Sequence, residues 1–314
     1  MVPEIISIGE ALVEIMRPMA GVSLDQPGLF LGPYASGAPA IFAVAAARLG
    51  VRVGFIGRVG EDAFGRLLCR RLESEGINLD YLQVSPDDAT SAAFVAYSPD
   101  GKREFVFYLK QAAAGRIDPS IISKIYFSGV TWLHISGSFL ALSDASRAAC
   151  HQAVEWTCEA GGKVSFDPNL RPELMGLDES RRVFAYYLDR ADLLLPTAEE
   201  ARALTATTDD EEAAARLLGD AERLVVFKRG SEGSTFFTQR KRLDCPGFSV
   251  KEVDPTGAGD CFNAACLVGL IKNWALDRTA RFANAAGALA VTRQGPMEGA
   301  HTIAEIKRLI GPSN

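Results

Sequence analysis

Nowhere in these 314 residues is there an apolar run long enough to span a bilayer. The first nine residues, from Met1 to Gly9, lack the basic start and long apolar stretch of a secretory leader. Cysteine is sparse. The six residues Cys69, Cys150, Cys158, Cys245, Cys261 and Cys266 include no Cys-x-x-Cys pair and sit mostly in apolar contexts. They read as reduced thiols, and the expected compartment is the cytoplasm. Histidine is scarcer still: His134, His151 and His301 have no metal-ligand spacing to one another or to a cysteine, so a zinc site is not expected. Basic residues are not in excess. The formal net charge is −6 and the isoelectric point near 5.3, which argues against a nucleic-acid partner. A local anion cradle nevertheless works inside an acidic protein.

The common nucleotide and hydrolase signatures are also missing. Without Gly-x-x-x-x-Gly-Lys-Ser/Thr the chain is not a P-loop enzyme. No Gly-x-Gly-x-x-Gly follows the first strand, which argues against a dinucleotide fold. The protein-kinase His-Arg-Asp and Asp-Phe-Gly set is absent, as is the Gly-x-Ser-x-Gly elbow of the α/β-hydrolases.

What the chain has is a large apolar fraction, 48%, enough for a sizeable core, arranged in a βαβ rhythm. Short apolar runs at 5–8, 53–56, 131–135, 164–166, 192–195 and 224–228 predict strands. Helical patterns at 38–49, 63–75, 143–160, 179–190 and 211–218 predict the crossovers, several ending at glycine. The expected class is α/β, with a mostly parallel central sheet covered by helices on both faces and ligands at the carboxyl ends of its strands. Two stretches break the rhythm. Segment 11–34 is rich in proline and glycine. Segment 90–108 holds two β-rich runs, 92–97 and 104–108, around the turn Ser98-Pro99-Asp100-Gly101. Both are expected to leave the main sheet as a small β lid, formed by inserted segments of about 11–35 and 90–110, within a single domain spanning 1–314. Ordinary edge hairpins are the competing explanation.

The most telling segment is Asp254-Pro255-Thr256-Gly257-Ala258-Gly259-Asp260, between a strand-like run, 248–253, and an apolar helix, 260–271. Small residues there leave main-chain N–H groups open at the positive end of a helix, which suits a phosphate. Asp260, in the first turn, is placed to accept a proton from a hydroxyl. Helix starts attract acidic residues and turns attract glycine for purely structural reasons as well. Two further segments suit ligands. Ser36-Gly37-Ala38-Pro39-Ala40 enters a helix, and Lys228-Arg229-Gly230-Ser231-Glu232-Gly233 follows a strand, where a plain hairpin turn is the alternative.

In this order the three segments resemble the ribokinase-like (PfkB) family of carbohydrate kinases, closest to its fructokinase and 2-keto-3-deoxygluconate kinase group. The 254–260 segment with Phe262-Asn263-Ala264 matches the C-terminal signature. Ser36–Ala40 with Ala46-Ala47-Arg48-Leu49-Gly50 matches the N-terminal one. Gly57-Arg58-Val59-Gly60-Glu61-Asp62-Ala63-Phe64-Gly65, Gly9-Glu10-Ala11-Leu12-Val13-Glu14 and Asp167-Pro168-Asn169-Leu170-Arg171 extend the likeness over essentially the whole chain. It implies a three-layer α/β/α sandwich with a β lid, an ATP-dependent sugar kinase, Mg²⁺ and, in some members, K⁺. It also implies roles. Asp260 would be the base, with the amides of Gly257, Ala258 and Gly259 at the transferring phosphoryl group. Thr197, Lys228, Gly230, Gly233 and Asn284 would line the nucleotide. Glu14, Gly37, Ala38, Ile41, Tyr108, Asn169 and Arg171 would line the sugar. Glu200 would help to place Mg²⁺, and Asp254 and Thr256 would face a monovalent cation. Homodimers through the lid are a further implication; no nucleic acid or membrane partner is.

Three positions depart from the pattern. Thr197 replaces the asparagine of Asn-x-x-Glu, and Thr197-x-x-Glu200 also satisfies a helix capping box. Ile41 replaces an asparagine that hydrogen-bonds sugar hydroxyls in several members. Leu109 replaces an arginine after the lid tyrosine, although Lys110 and Arg171 could still face a carboxylate. A nucleoside kinase on the same scaffold and a non-catalytic binding homologue therefore remain as alternatives.

Overall fold

The computed structural model describes residues 2–99 and 103–311. Strand β1 (Ile5–Ile8) enters the core, and β2 (Leu12–Met16) and β3 (Leu31–Ser36) leave it. Helix α1 (Ala38–Arg48) returns to β4 (Val53–Gly60), and α2 (Ala63–Ser74) leads to β5 (Asn78–Ser85). Strands β6 (Ala92–Tyr97) and β7 (Arg103–Tyr108) leave the core again. The alternation resumes with β8 (Trp132–Ser136), α3 (Gly137–Leu140), α4 (Asp144–Glu159), β9 (Lys163–Asp167) and α5 (Leu177–Arg190). It continues through β10 (Leu193–Leu194), α6 (Ala198–Thr205), α7 (Asp210–Leu218) and β11 (Leu224–Lys228). Strands β12 (Gly233–Phe237) and β13 (Arg242–Pro246) close the sheet before α8 (Ala258–Ile271), α9 (Leu276–Ala290) and α10 (Ile303–Ile310).

Nine strands form one sheet in the order β13-β12-β11-β10-β9-β8-β1-β4-β5, parallel except where β12 pairs with β11 and with β13. All four β1 residues are buried. Ile5 joins one apolar cluster and Ile6 and Ile8 the other, because alternate side chains point to opposite faces and helices cover both. Helix α8 is apolar almost all round, as befits a helix packed between α1, α9 and the sheet. Side chains cap the neighbouring helices. Asp62 accepts from the amides of Phe64 and Gly65, and Ser143, Thr197 and Thr302 each form a capping box.

The inserted segments form a separate four-stranded sheet, β3-β2-β6-β7. Its last two strands pair antiparallel from Ala92–Tyr108 to Tyr97–Arg103. The Asp100-Gly101 part of the expected turn lies outside the described residues. The run 248–253, expected as a strand, is not one: it lies past the sheet's edge strand β13, largely exposed. The amides of Val253 and Asp254 instead bond the Val291 carbonyl, which hands the chain to the loop before α8. That helix begins at Ala258, two residues earlier than its apolar pattern suggested.

From β1 the chain builds outward to β4 and β5 on one side and to β8 through β11 on the other. Such a reversal opens a crevice at the carboxyl ends of the strands. Glu10 follows β1 there, Ser138 follows β8, Asn169 and Arg171 follow β9, Thr197 follows β10, and Lys228 ends β11. No described helix is long and apolar enough to cross a membrane.

Candidate active site

One cavity brings together groups from both signatures and the lid: Gly37, Ala38 and Ile41 from α1, Asn169 and Arg171 after β9, Thr256, Gly257 and Asp260 at α8, and Glu14 from the lid. The form of its α8 end follows from backbone geometry. Gly257 caps α8 in the left-handed region, φ 82°, and no side chain caps that helix. The amides of Gly259 and Asp260 therefore have no intrahelical or side-chain acceptor, whereas that of Ala258 donates to the Pro255 carbonyl at 3.4 Å. A β-carbon on Gly257 would lie 2.4 Å from the Pro296 carbonyl oxygen and 3.1 Å from Ile41 Cγ2. At Gly259 the nearest atom would be Lys228 Nζ, at 3.7 Å. The side-chain space at Gly259 is thus open, with a cation beside it.

Asp260 is the third residue of α8 and lines the cavity. Burial, reinforced by the Asp167 carboxylate, lifts its pKa to about 8 against the opposing pull of Lys228 and Arg171. Asp167 is held from three sides. Its Oδ2 accepts from Lys228 Nζ at 2.7 Å and from Asn263 Nδ2 at 2.6 Å, and its Oδ1 accepts from the Asn169 amide. Asn169 in turn donates to Ser136 Oγ. Neither Asp167 nor Asn263 is singled out for the site by the sequence; Asp167 holds Lys228 and Asn169 in place, and Asn263 holds Asp167.

Two more carboxylates line the cavity. Glu10 Oε1 accepts from Ser138 Oγ at 2.7 Å, and Glu14 Oε2 from Ser36 Oγ at 3.1 Å. Both are buried, 3% and 4% exposed. Burial raises each pKa to about 7, aided at Glu14 by the charge of Asp254. Glu10 was not expected in the site. Its sole local sign is a position just past a buried strand, and its partner Ser138 is 128 residues away.

The lid contributes a different set from the expected one. Alternation along β7 turns Arg103, Phe105 and Phe107 into the cavity, with Leu109 following. Tyr108 lies on the opposite face, 61% exposed, its ring edge-on to Phe94. Lys110 donates to the Leu174 carbonyl and is not part of the lining.

Among the residues expected to line the nucleotide, Thr197 and Lys228 are bridged strand-to-strand at the crevice edge. Gly230 and Gly233 flank the connection between β11 and β12, an antiparallel pair, so the hairpin geometry is realised there. Asn284 Nδ2 donates to the carbonyls of Cys245 and Pro246, tying α9 to β13. Glu200 completes its capping box with the Thr197 amide at 2.8 Å, and its other oxygen accepts from the Leu170 amide at 2.7 Å. Burial and the nearby Asp167 raise its pKa. Asp254 is similarly engaged: Oδ1 accepts from Tyr97 Oη and the Thr256 amide, and Oδ2 from the Gly295 amide. It thereby links the lid to the loop before α8. Among the described residues no three His, Cys, Asp or Glu side chains form a metal-ready group. Burial keeps His134 neutral, stacked on Phe42, with its pKa near 3.

A family model described as "pfkB family carbohydrate kinase" matches residues 3–303. The chain belongs to this family, and the protein is a carbohydrate kinase. Fructokinase-2 of Solanum habrochaites is 33% identical over 316 aligned residues, covering 98% of this chain and 95% of the relative. An E. coli protein provisionally assigned as ribokinase II, solved with ATP and Mg²⁺, is 39% identical with a TM-score of 0.93, covering 98% and 99% of the two chains. A Vibrio cholerae fructokinase variant, solved with fructose, ADP and potassium ion, is 30% identical with a TM-score of 0.83, covering 99% of each. The pfkB fold of the present chain is thus the ribokinase-like sandwich with its separate lid sheet.

Proposed function

We propose that the protein transfers the γ-phosphoryl group of ATP to a hydroxymethyl oxygen of a small sugar of the fructose or 2-keto-3-deoxygluconate type. The observation that carries this reading is the shared cavity of Asp260 and the uncapped start of α8. As the acceptor oxygen bonds to phosphorus and the bond from phosphorus to the ADP oxygen breaks, Asp260 takes the acceptor's proton. The amides of Gly257, Ala258 and Gly259, with Lys228, face the charge that builds on the transferring group. Gly230, Gly233, Thr197 and Asn284 line the route to the nucleotide, and the lid aromatics exclude water. Bound Mg²⁺ screens the triphosphate. Glu200 suits an outer position toward that ion, because each of its oxygens already accepts one amide. Asp254 suits the rim of a K⁺ site more than its direct coordination, because both its oxygens already accept hydrogen bonds, and Thr256 lies beside it.

A coupled ADP assay across fructose, 2-keto-3-deoxygluconate, ribose and nucleosides tests this. Sugar-dependent ADP release supports it. Preference for a nucleoside would identify a nucleoside kinase, and no release with any acceptor a binding homologue. The pH profile adds a second test. Because Asp260 must be unprotonated and its pKa is raised to about 8, kcat/KM rises with pH below about 8 and levels off above it. A flat profile between pH 6 and 8 would contradict the assignment of the base.

The outer lid face carries exposed Val106 and Tyr108 on β7, and we read it as the surface on which a second copy pairs. Sedimentation is expected to give twice the chain mass of 33.7 kDa, reduced to one chain by Tyr108→Glu. A monomeric parent protein removes this reading.

A further inference from the structure

The segment from Gly57 to Gly65 runs from the end of β4 into α2, and none of its side chains lines the cavity that holds Asp260. Its contacts lead instead to the lid. The Asp62 carboxylate caps α2 by accepting from the amides of Phe64 and Gly65 at 2.9 and 2.8 Å. It also accepts from the amide and from Oγ1 of Thr90, each at 2.8 Å. Thr90 Oγ1 in turn accepts from the Gly60 amide at 2.9 Å. Two glycines make room for this crossing. A β-carbon on Gly60 would lie 2.3 Å from the Asp88 carbonyl oxygen and 2.7 Å from the Thr90 nitrogen. One on Gly65 would lie 1.9 Å from the Gly60 carbonyl oxygen and 3.1 Å from Thr90 Oγ1. Beside the crossing, the Asp88 carboxylate accepts from Arg58 and Arg116 at 2.9 and 2.8 Å.

Thr90 stands where the chain leaves the main sheet for the lid, two residues before β6. That strand is an inner one, flanked by β2 and β7. Its Ala93 lies opposite Glu14 on β2 and opposite Phe107 on β7, and all three line the cavity. About 10 Å of extended chain, three residues, separates the clasp at Thr90 from this wall. A change in the direction of β6 at its root therefore moves the whole wall.

We propose that Asp62 and Thr90 are positioning residues for phosphoryl transfer: their clasp fixes the direction in which β6 leaves the body, and with it the lid wall over the acceptor. The clasp stands on its own contacts, while its effect on turnover rests on the kinase reading above. When the wall is displaced, water takes the place of the sugar. Its oxygen bonds to phosphorus, a proton passes to Asp260, the bond from phosphorus to the ADP oxygen breaks, and ADP and phosphate leave. A loosened clasp thus shows as ATP consumed without sugar.

Thr90→Val tests this, because valine keeps the shape but neither donates to Asp62 nor accepts from Gly60, and the Asp62 cap of α2 stays intact. In the substrate-free protein, amide hydrogen exchange is expected to quicken roughly tenfold over 92–97 and 103–108, and far less over 132–136 and 163–167 in the main sheet. Sugar-free ADP release, as a fraction of release with the best accepted sugar, is expected to rise roughly tenfold as well. Thr90→Ser, which keeps the hydroxyl, is expected to restore both. Unchanged lid exchange overturns the proposal, as does exchange that quickens by one factor throughout the chain, which marks a merely structural role. Faster lid exchange with an unchanged fraction of sugar-free release overturns it too. A parent protein that releases no ADP with any sugar sinks the kinase reading, and the exchange comparison then decides the clasp by itself.

Discussion

Asp260→Asn is expected to lower kcat by roughly 10²- to 10⁴-fold with any accepted sugar, the usual contribution of a positioned base. Asparagine keeps the size and polarity of the side chain at the third position of α8 but cannot take a proton. On the proposed reading the nucleotide side of the cradle consists of main-chain amides and Lys228, so ATP affinity is expected to stay within about threefold of the parent value. Stability moves in the opposite direction from activity. The raised pKa means that the folded state holds its proton between the ordinary carboxylate value of 3.8 and about 8, whereas the unfolded chain releases it. Over that window Asp260 therefore costs stability increasingly as pH rises. The asparagine variant should consequently unfold at a temperature no lower than the parent at pH 7. A variant that is stable, binds ATP and is inactive supports the assignment. One that turns over sugar at the parent rate refutes it, whatever its stability.

Gly257→Ala is expected to have the second-largest effect, for a backbone reason. The residue sits at φ 82°, ψ −4°, a region that costs alanine roughly 1–2 kcal/mol. The added methyl would also lie 2.4 Å from the Pro296 carbonyl oxygen, a contact that backbone must relieve by moving. The neighbouring Gly295 amide bonds Asp254, so the shift is passed to the loop that carries Thr256. Misplacing reacting groups by about 1 Å can cost a hundredfold in rate. Turnover should fall by at least that, and the melting temperature by a few degrees, about 2–4 °C per kcal/mol for a chain of this class. Gly259→Ala is the control. Its methyl would meet only Lys228 Nζ at an ordinary 3.7 Å, so it should fold like the parent and lose affinity for ATP. If Gly257→Ala retained full turnover, the phosphoryl cradle would not begin at this residue.

The parallel half of the sheet was legible because such strands are buried on both faces and appear as short apolar runs between helices that end at glycine. The last strands were not. β10 spans only two residues, and β13 alternates exposed and half-buried positions at an edge. The neighbouring apolar run 248–253 looked more like a strand than β13 does, yet no strand lies beyond the edge for it to pair with. In the lid, an aromatic run named the right strand but not its inward face. The tyrosine and the two phenylalanines differ by one step of the pleat, and register alone decides which of them meets a ligand.

From the order of residues alone came the layered α/β plan, the lid, and the loop where a base adjoins open amides, all of them local patterns carried within a dozen residues or so. Tertiary structure alone decided that Glu10, placed after the first strand, meets Ser138 from the helical turn after β8, far along the chain, in the cavity that holds Asp260. It also decided that Asp167 restrains Lys228 beside the cradle. Burial and charge pairing are sums over neighbours distant in sequence, so the proton affinity of a carboxylate is set only once the chain has folded.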